Sequence, residues 1–205
     1  MTLKEYLIDK YGYNEPICVN EIQFKDYSRP WVFKELKKLV DNGEIRRFDL
    51  GIYYFPKKMP FGDSYLNPRK VVEHRFLSNG CEVYGYIAGA SLLNQAGLTT
   101  QVPNLIELVT NNESTRVRDI MVGNQRVRAR RSRTAVTEEN AGTLQFLDLM
   151  NSITPSAMDE TEKLMLSKYT AASNVTKASV SEYSRFFPAK AVRNMLESGV
   201  IYELA

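Results

Sequence analysis

The densest chemistry in this sequence is guanidinium. Arg116, Arg118, Arg126, Arg128, Arg130, Arg131 and Arg133 fall within 18 residues, with Asp119 the only acid among them. In the stretch QRVRARR, Arg126, Arg128 and Arg130 alternate with Val127 and Ala129. Successive side chains of a strand point to opposite faces, so these three arginines would share one face at about 6–7 Å, near the spacing of phosphates along a nucleic-acid strand. An edge strand guarded by charge against aggregation is the plainer alternative. The one-sidedness of the cluster favours a polyanion.

A second basic set lies near the N-terminus. The segment GEIRRFDLGIYYFP, residues 43–56, follows directly on a lysine-rich helix and carries Arg46 and Arg47 on the first of two short strands. Tyr27, Ser28, Arg29, Trp31 and Lys34 stand at the beginning of that helix. Such residues can meet base edges and phosphates, and Arg46 and Arg47 can meet phosphates or probe a minor groove. Lysines along a helix are otherwise a solvated face, and Trp31 and Phe33 are otherwise core.

Other chemistry is sparse. The sequence has no phosphate-binding glycine loop, no HExxH, no CxxC and no GxSxG elbow. Its acids are scattered, and His74 is its single histidine, with no cysteine near it in sequence. These features predict no catalytic residue, no metal and no cofactor.

The elements that must position the basic residues read clearly in places. Thr2 and Glu5 form a capping box ahead of Leu3, Leu7 and Ile8, and Gly12 can end that helix. A short helix is expected over 19–24, then a turn at Lys25-Asp26-Tyr27. Ser28 can cap a third helix with Pro30 in its first turn, Val32, Leu36, Leu39 and Val40 inward, and Lys34, Lys37 and Lys38 away from that stripe. Strands follow at 45–48 and 52–55 around Asp49-Leu50-Gly51. Residues 57–62 read as a linker, 68–77 as a helix capped by Asn67, and 84–96 as another helix. A buried strand is expected at 104–111 and a hairpin at 120–122 and 125–131 around Gly123-Asn124. Helices at 138–150 and from Thr154-Pro155 to about 169 close the pattern. Residues 175–201 align without a gap on 19–45, with 7 identities in 27 at an offset of 156. A second helix-turn-helix-like unit is the expectation there, by duplication or by convergence.

The pattern is α+β: an N-terminal winged helix-turn-helix over residues 1–58, a small central α/β domain with an Arg-rich hairpin over 59–135, and a C-terminal helical region over 136–205. At 43% hydrophobic and 25% charged the 205-residue chain is ordinary globular material. No apolar run approaches the ~18 residues of a membrane span. Two distant cysteines suit a reducing, cytoplasmic setting. Residues 1–133 hold 21 Lys/Arg against 15 Asp/Glu, whereas 134–205 hold 6 against 9, so the polyanion partner belongs to the N-terminal two thirds.

The strand end Gly51-Ile-Tyr-Tyr-Phe-Pro56, the stretch AGLTTQVP at 96–103 and the strand end Val109-Thr110-Asn111 resemble the AbiEi-type antitoxins, over residues 15–150. These are winged-helix transcriptional regulators of type IV toxin–antitoxin (abortive infection) systems. The resemblance implies a bacterial repressor that binds double-stranded DNA at inverted repeats in its own promoter, as monomer or dimer, and opposes a nucleotidyltransferase-like toxin. It assigns Ser28, Arg29, Lys34 and Lys38 to a recognition helix and Arg46 and Arg47 to a wing. The alternative is a winged-helix module that binds protein or RNA without specific DNA contact.

Overall fold

A computed structural model describes residues 1–25 and 27–204. The chain is mixed α/β and divides into two compact units, Met1–His74 with Val122–Asn124, and Arg75–Met121 with Gln125–Ala205. The second unit thus takes in most of 59–135 together with the stretch expected as a separate helical region. Among the described residues no helix is long and apolar enough to cross a membrane.

The first unit opens with α1, Leu3–Tyr11. Both halves of the Thr2/Glu5 capping box form: Glu5 N–H donates to Thr2 Oγ1 at 3.2 Å and Thr2 N–H to Glu5 Oε2 at 2.8 Å. A two-residue strand β1, Ile17–Cys18, precedes a 3₁₀ turn, Val19–Glu21. The expected helix at 19–24 is only this turn, because Ile22 is already extended. Asp26, at the centre of the expected turn, lies outside the described residues. Helix α2, Arg29–Asp41, follows with Pro30 in its first turn. Ser28 occupies the cap position, but its side chain makes no capping hydrogen bond. Strands β2, Arg46–Asp49, and β3, Ile52–Tyr54, form the expected hairpin, with a register shift between Arg47 and Asp49. β3 also pairs with β1, so the sheet runs β1-β3-β2. Leu3, Leu7, Ile17, Val19, Phe24, Val32, Leu36, Ile45 and Phe55 are its buried core.

Residues 57–62 are not a loose linker. Lys58–Met59 (β4) and Gly62–Asp63 (β5) pair as a small hairpin. Asp63 holds it in place, since its carboxylate pairs with Lys58 Nζ at 2.9 Å and Arg46 Nη2 at 2.8 Å. Helix α3, Pro68–Phe76, starts where Asn67 Oδ1 accepts from Arg69 N–H at 2.9 Å.

The second unit carries a four-stranded sheet in the order β6-β7-β9-β8. Its strands are β6 (Gly85–Ile87), β7 (Leu105–Thr110), β8 (Val117–Val122) and β9 (Gln125–Arg131). β6 runs antiparallel to β7, and β9 parallel to it. The single helix expected at 84–96 is therefore a strand and then a short helix, α4, Gly89–Gln95. The break falls at Gly89, whose φ of +57° places it in the left-handed region that favours glycine. Glu107 Oε2, from β7, accepts from Ala90 N–H at 3.0 Å and so supplies the N-terminal acceptor that Ala88 lacks.

Four further helices cover this unit: α5 (Ala141–Ser152), α6 (Glu160–Ala172), α7 (Lys177–Tyr183) and α8 (Ala189–Glu197). Pro155 opens a 3₁₀ turn rather than α6, which starts instead at an Asp159/Glu162 capping box. The echoed segment is helical at α7 and α8, where residues 19–45 hold a 3₁₀ turn and α2. Both copies end at a left-handed glycine, Gly43 (φ 71°) and Gly199 (φ 77°). They part in packing: Leu196, aligned with the half-buried Val40, is 51% exposed.

Asn194 joins α8 to the end of α5. Its buried Nδ2 donates to Met150 O at 2.7 Å and Ile153 O at 2.9 Å. Asn194→Ala leaves these carbonyls without that donor and is expected to cost about 1–3 kcal/mol in urea unfolding, whereas an unchanged midpoint would assign the join to apolar packing alone.

Candidate nucleic-acid interface

Two groups of sequence-predicted residues come together in the first unit. At the start of α2, Tyr27 stacks on Trp31 with ring centroids 4.0 Å apart and lies 5.7 Å from Phe24. Trp31 also stacks on Phe24 at 6.0 Å. Phe24 is buried, Trp31 half-buried and Tyr27 48% exposed, so the stack runs from core to solvent. It anchors the α2 N-terminus without a serine cap. Ser28 and Arg29 are exposed beside it. Lys34 and Lys37 are exposed further along α2. Lys38 pairs with Glu35 of the same helix at 2.6 Å.

The second group is on β2. Arg46 and Arg47 are both exposed, but neither is idle. Arg46 shares Asp63 with Lys58, and Arg47 Nε donates to Asp49 O at 3.3 Å. Hydrogen bonding from Arg46, then from Lys58, holds the Asp63 carboxyl below the usual aspartate range. Arg29, Lys34 and Lys37 are thus the more available cations of α2, and Arg46 meets a new anion only in competition with Asp63.

The arginine strand belongs to the second unit. Val127 and Ala129 are fully buried, so Arg126, Arg128 and Arg130 do share the opposite face of β9. They are not a free row. Arg128 grips Asp119 of β8 with two bonds, Nε to Oδ1 at 2.7 Å and Nη2 to Oδ2 at 2.8 Å, and its Nη1 lies 3.9 Å from Glu107. Arg130 Nη2 reaches the buried Asp148 of α5 at 2.6 Å. Arg126 is exposed, and its guanidinium makes no hydrogen bond or ion pair among the described residues, while its carbonyl accepts from Gln125 Nε2 at 3.0 Å. Arg118, nearby in sequence, pairs with the buried Glu113 at 3.0 Å. Burial pushes the Glu113 carboxyl up, but hydrogen bonds from Thr115 and Ser114 together with Arg118 hold it below the glutamate range.

Sequence reasoning missed these carboxylates. Asp148 sits on a helix otherwise rich in Leu, Phe and Met, and an acid on an apolar face is the signal that could have revealed a buried partner. It also missed a grouping of metal-binding types. Cys18, Glu21 and His74 bring ligand atoms within 4.8 Å of one another, and His74 Nε2 is 2.8 Å from Glu21 Oε2.

Hydrogen bonding from Arg128 also holds the Asp119 carboxyl low. A carboxyl depressed in the folded chain favours the native state fully above about pH 4, and that contribution is lost as pH falls through the depressed value. Asp63→Asn and Asp119→Asn are therefore expected to flatten the acid-side fall of the urea midpoint between about pH 4 and pH 2. A wild-type acid profile in both variants would remove these pairs from the stability of the fold.

In comparison with known proteins, the chain matches no family model and no curated protein.

Proposed function

We propose that this chain is a DNA-binding transcriptional autorepressor that serves as the antitoxin of a type IV toxin–antitoxin (abortive infection) system, acting by binding rather than by catalysis. The observation that carries the reading is the topology of the first unit. Helix, short strand, helical turn, helix and hairpin follow in that order, with the sheet ordered β1-β3-β2, and this order supports a winged-helix reading. In that reading α2 enters the major groove and β2–β3 is the wing along the backbone. Arg29 and Lys34 read base edges, Tyr27 and Ser28 meet the backbone at the helix start, and Arg46 and Arg47 meet phosphates. Lys38 is a lesser contact because Glu35 already holds it. In the second unit only Arg126 of the predicted row is ready for a phosphate, so that unit serves the antitoxin role and the first unit serves DNA.

One observation favours a protein-docking module instead. Phe33, an apolar residue of α2, is 49% exposed beside Lys34 and Lys37. Fluorescence anisotropy separates the readings, with duplex from the chain's own upstream region set against scrambled duplex. A specific repressor prefers its own sequence by about a thousandfold or more. Arg29→Ala or Lys34→Ala then costs about 1–3 kcal/mol on that duplex alone, while Arg46→Ala weakens binding to both. Equal, weak binding to both duplexes would transfer α2 to a protein or RNA partner. The antitoxin role is tested by growth. Co-expression with a nucleotidyltransferase-like toxin encoded beside the chain restores colonies if the role is right, and fails to if the chain only represses.

A further inference from the structure

Cys18 and Glu21 lie more than 50 residues from His74 in sequence, yet the fold draws the three together. Cys18 ends β1 and immediately precedes the 3₁₀ turn Val19–Glu21. Glu21 ends that turn, and the ligand atoms of Cys18 and Glu21 lie within 4.8 Å of that of His74. The third member comes from α3, which Lys70 ties to the same N-terminal stretch through Glu15 and through Asn14 O. All three residues are half-buried.

We propose that Cys18, Glu21 and His74 form a zinc site with a fourth position open to water. The donor set is one thiolate sulfur, one imidazole nitrogen and one carboxylate oxygen. Hard cations such as Mg²⁺ and Ca²⁺ take oxygen ligands, whereas Zn²⁺ accepts all three types and keeps an open position when the protein supplies three. Zinc bond lengths of about 2.0–2.3 Å at a tetrahedral centre place ligand atoms about 3.3–3.6 Å apart. The atoms here lie within 4.8 Å of one another, with His74 Nε2 2.8 Å from Glu21 Oε2. Side-chain rotations of an ångström or so close that gap and leave the backbone in place. Binding replaces the hydrogen bond between His74 and Glu21, the neutral imidazole carries its proton on the ring nitrogen that does not bind the ion, and the Cys18 thiol loses its proton to solvent. The bound ion cross-links the 3₁₀ turn to α3 within the first unit, whatever that unit binds.

Cobalt is the probe, since Co²⁺ takes zinc's place and is coloured. Titration of the full chain with Co²⁺ is expected to saturate at one equivalent, with a thiolate-to-cobalt charge-transfer band and the intense visible bands of tetrahedral cobalt, both erased by Zn²⁺. Cys18→Ser removes the charge-transfer band, His74→Gln and Glu21→Gln weaken the affinity at least about tenfold, and Cys81→Ser changes nothing. Alkylation of the wild-type chain, read by mass spectrometry, needs no variant. Zn²⁺ slows modification of Cys18 and spares the exposed Cys81 as an internal standard. No charge-transfer band, a band that survives Cys18→Ser, or Cys18 alkylation indifferent to Zn²⁺ would each overturn the site and leave a histidine–glutamate pair beside a cysteine.

Discussion

The pairing of Ile17 and Cys18 with the middle of β3 is the constraint on which the first unit depends. Ile17 lies opposite Tyr53 and Cys18 opposite Ile52, and Val19 N–H continues the contact to Gly51 O at 3.0 Å. A few backbone bonds contribute only about 1 kcal/mol each. Their weight comes from what they bring with them, since Ile17 and Phe55 are sealed from solvent in the same core. Fixing residues 17 and 18 sets where the 3₁₀ turn begins. The turn sets where Phe24 enters the core, and Phe24 seats Tyr27 and Trp31 at the start of α2. A hairpin and a helix that are separate in sequence are thus held in one geometry by two residues upstream of both.

The second unit solves a different problem. Its sheet and helices meet through irregular segments whose backbone groups must be satisfied. Asparagine side chains, with a donor and an acceptor each, stand in for missing strand partners. Asn111 exchanges two bonds with Val136, donating to its carbonyl at 2.8 Å and accepting from its amide at 2.9 Å. Asn140 accepts from Thr137 N–H and donates to Ala135 O. Asn194 performs the same service between α8 and α5, and Glu107 does so for α4. These clamps let short elements end abruptly inside a close-packed body.

What the sequence made legible was local. The Thr2 capping box, the apolar stripe of α2, the β2–β3 hairpin and the alternation of β9 each rest on residues within a few positions of one another. What it hid was pairing at a distance. β1 is two residues long and is a strand only because β3 lies beside it. The small residues around Gly85–Ser91 imitate a close-packed helix face, whereas Gly85–Ile87 is drawn into the sheet by Val109 and Thr110. The basic residues were all identifiable, but their counter-ions were not. Asp148 is 18 positions from Arg130 and on another element, and Cys18 and Glu21 are more than 50 from His74. Charge counted along a chain overstates the charge a surface can offer.

The grip of Arg128 on Asp119 bears on how such a surface changes over time. The guanidinium is already built and already aimed, and Asp119 holds it with two bonds while Glu107 stands further off at 3.9 Å. Aspartate becomes asparagine by a single base change in its codon. One such step at residue 119 would take away the two-bond partner of Arg128, leaving Glu107 at 3.9 Å, while Val127 and Ala129 stay buried beneath. A lineage could therefore acquire or lose a basic strand without touching a single arginine.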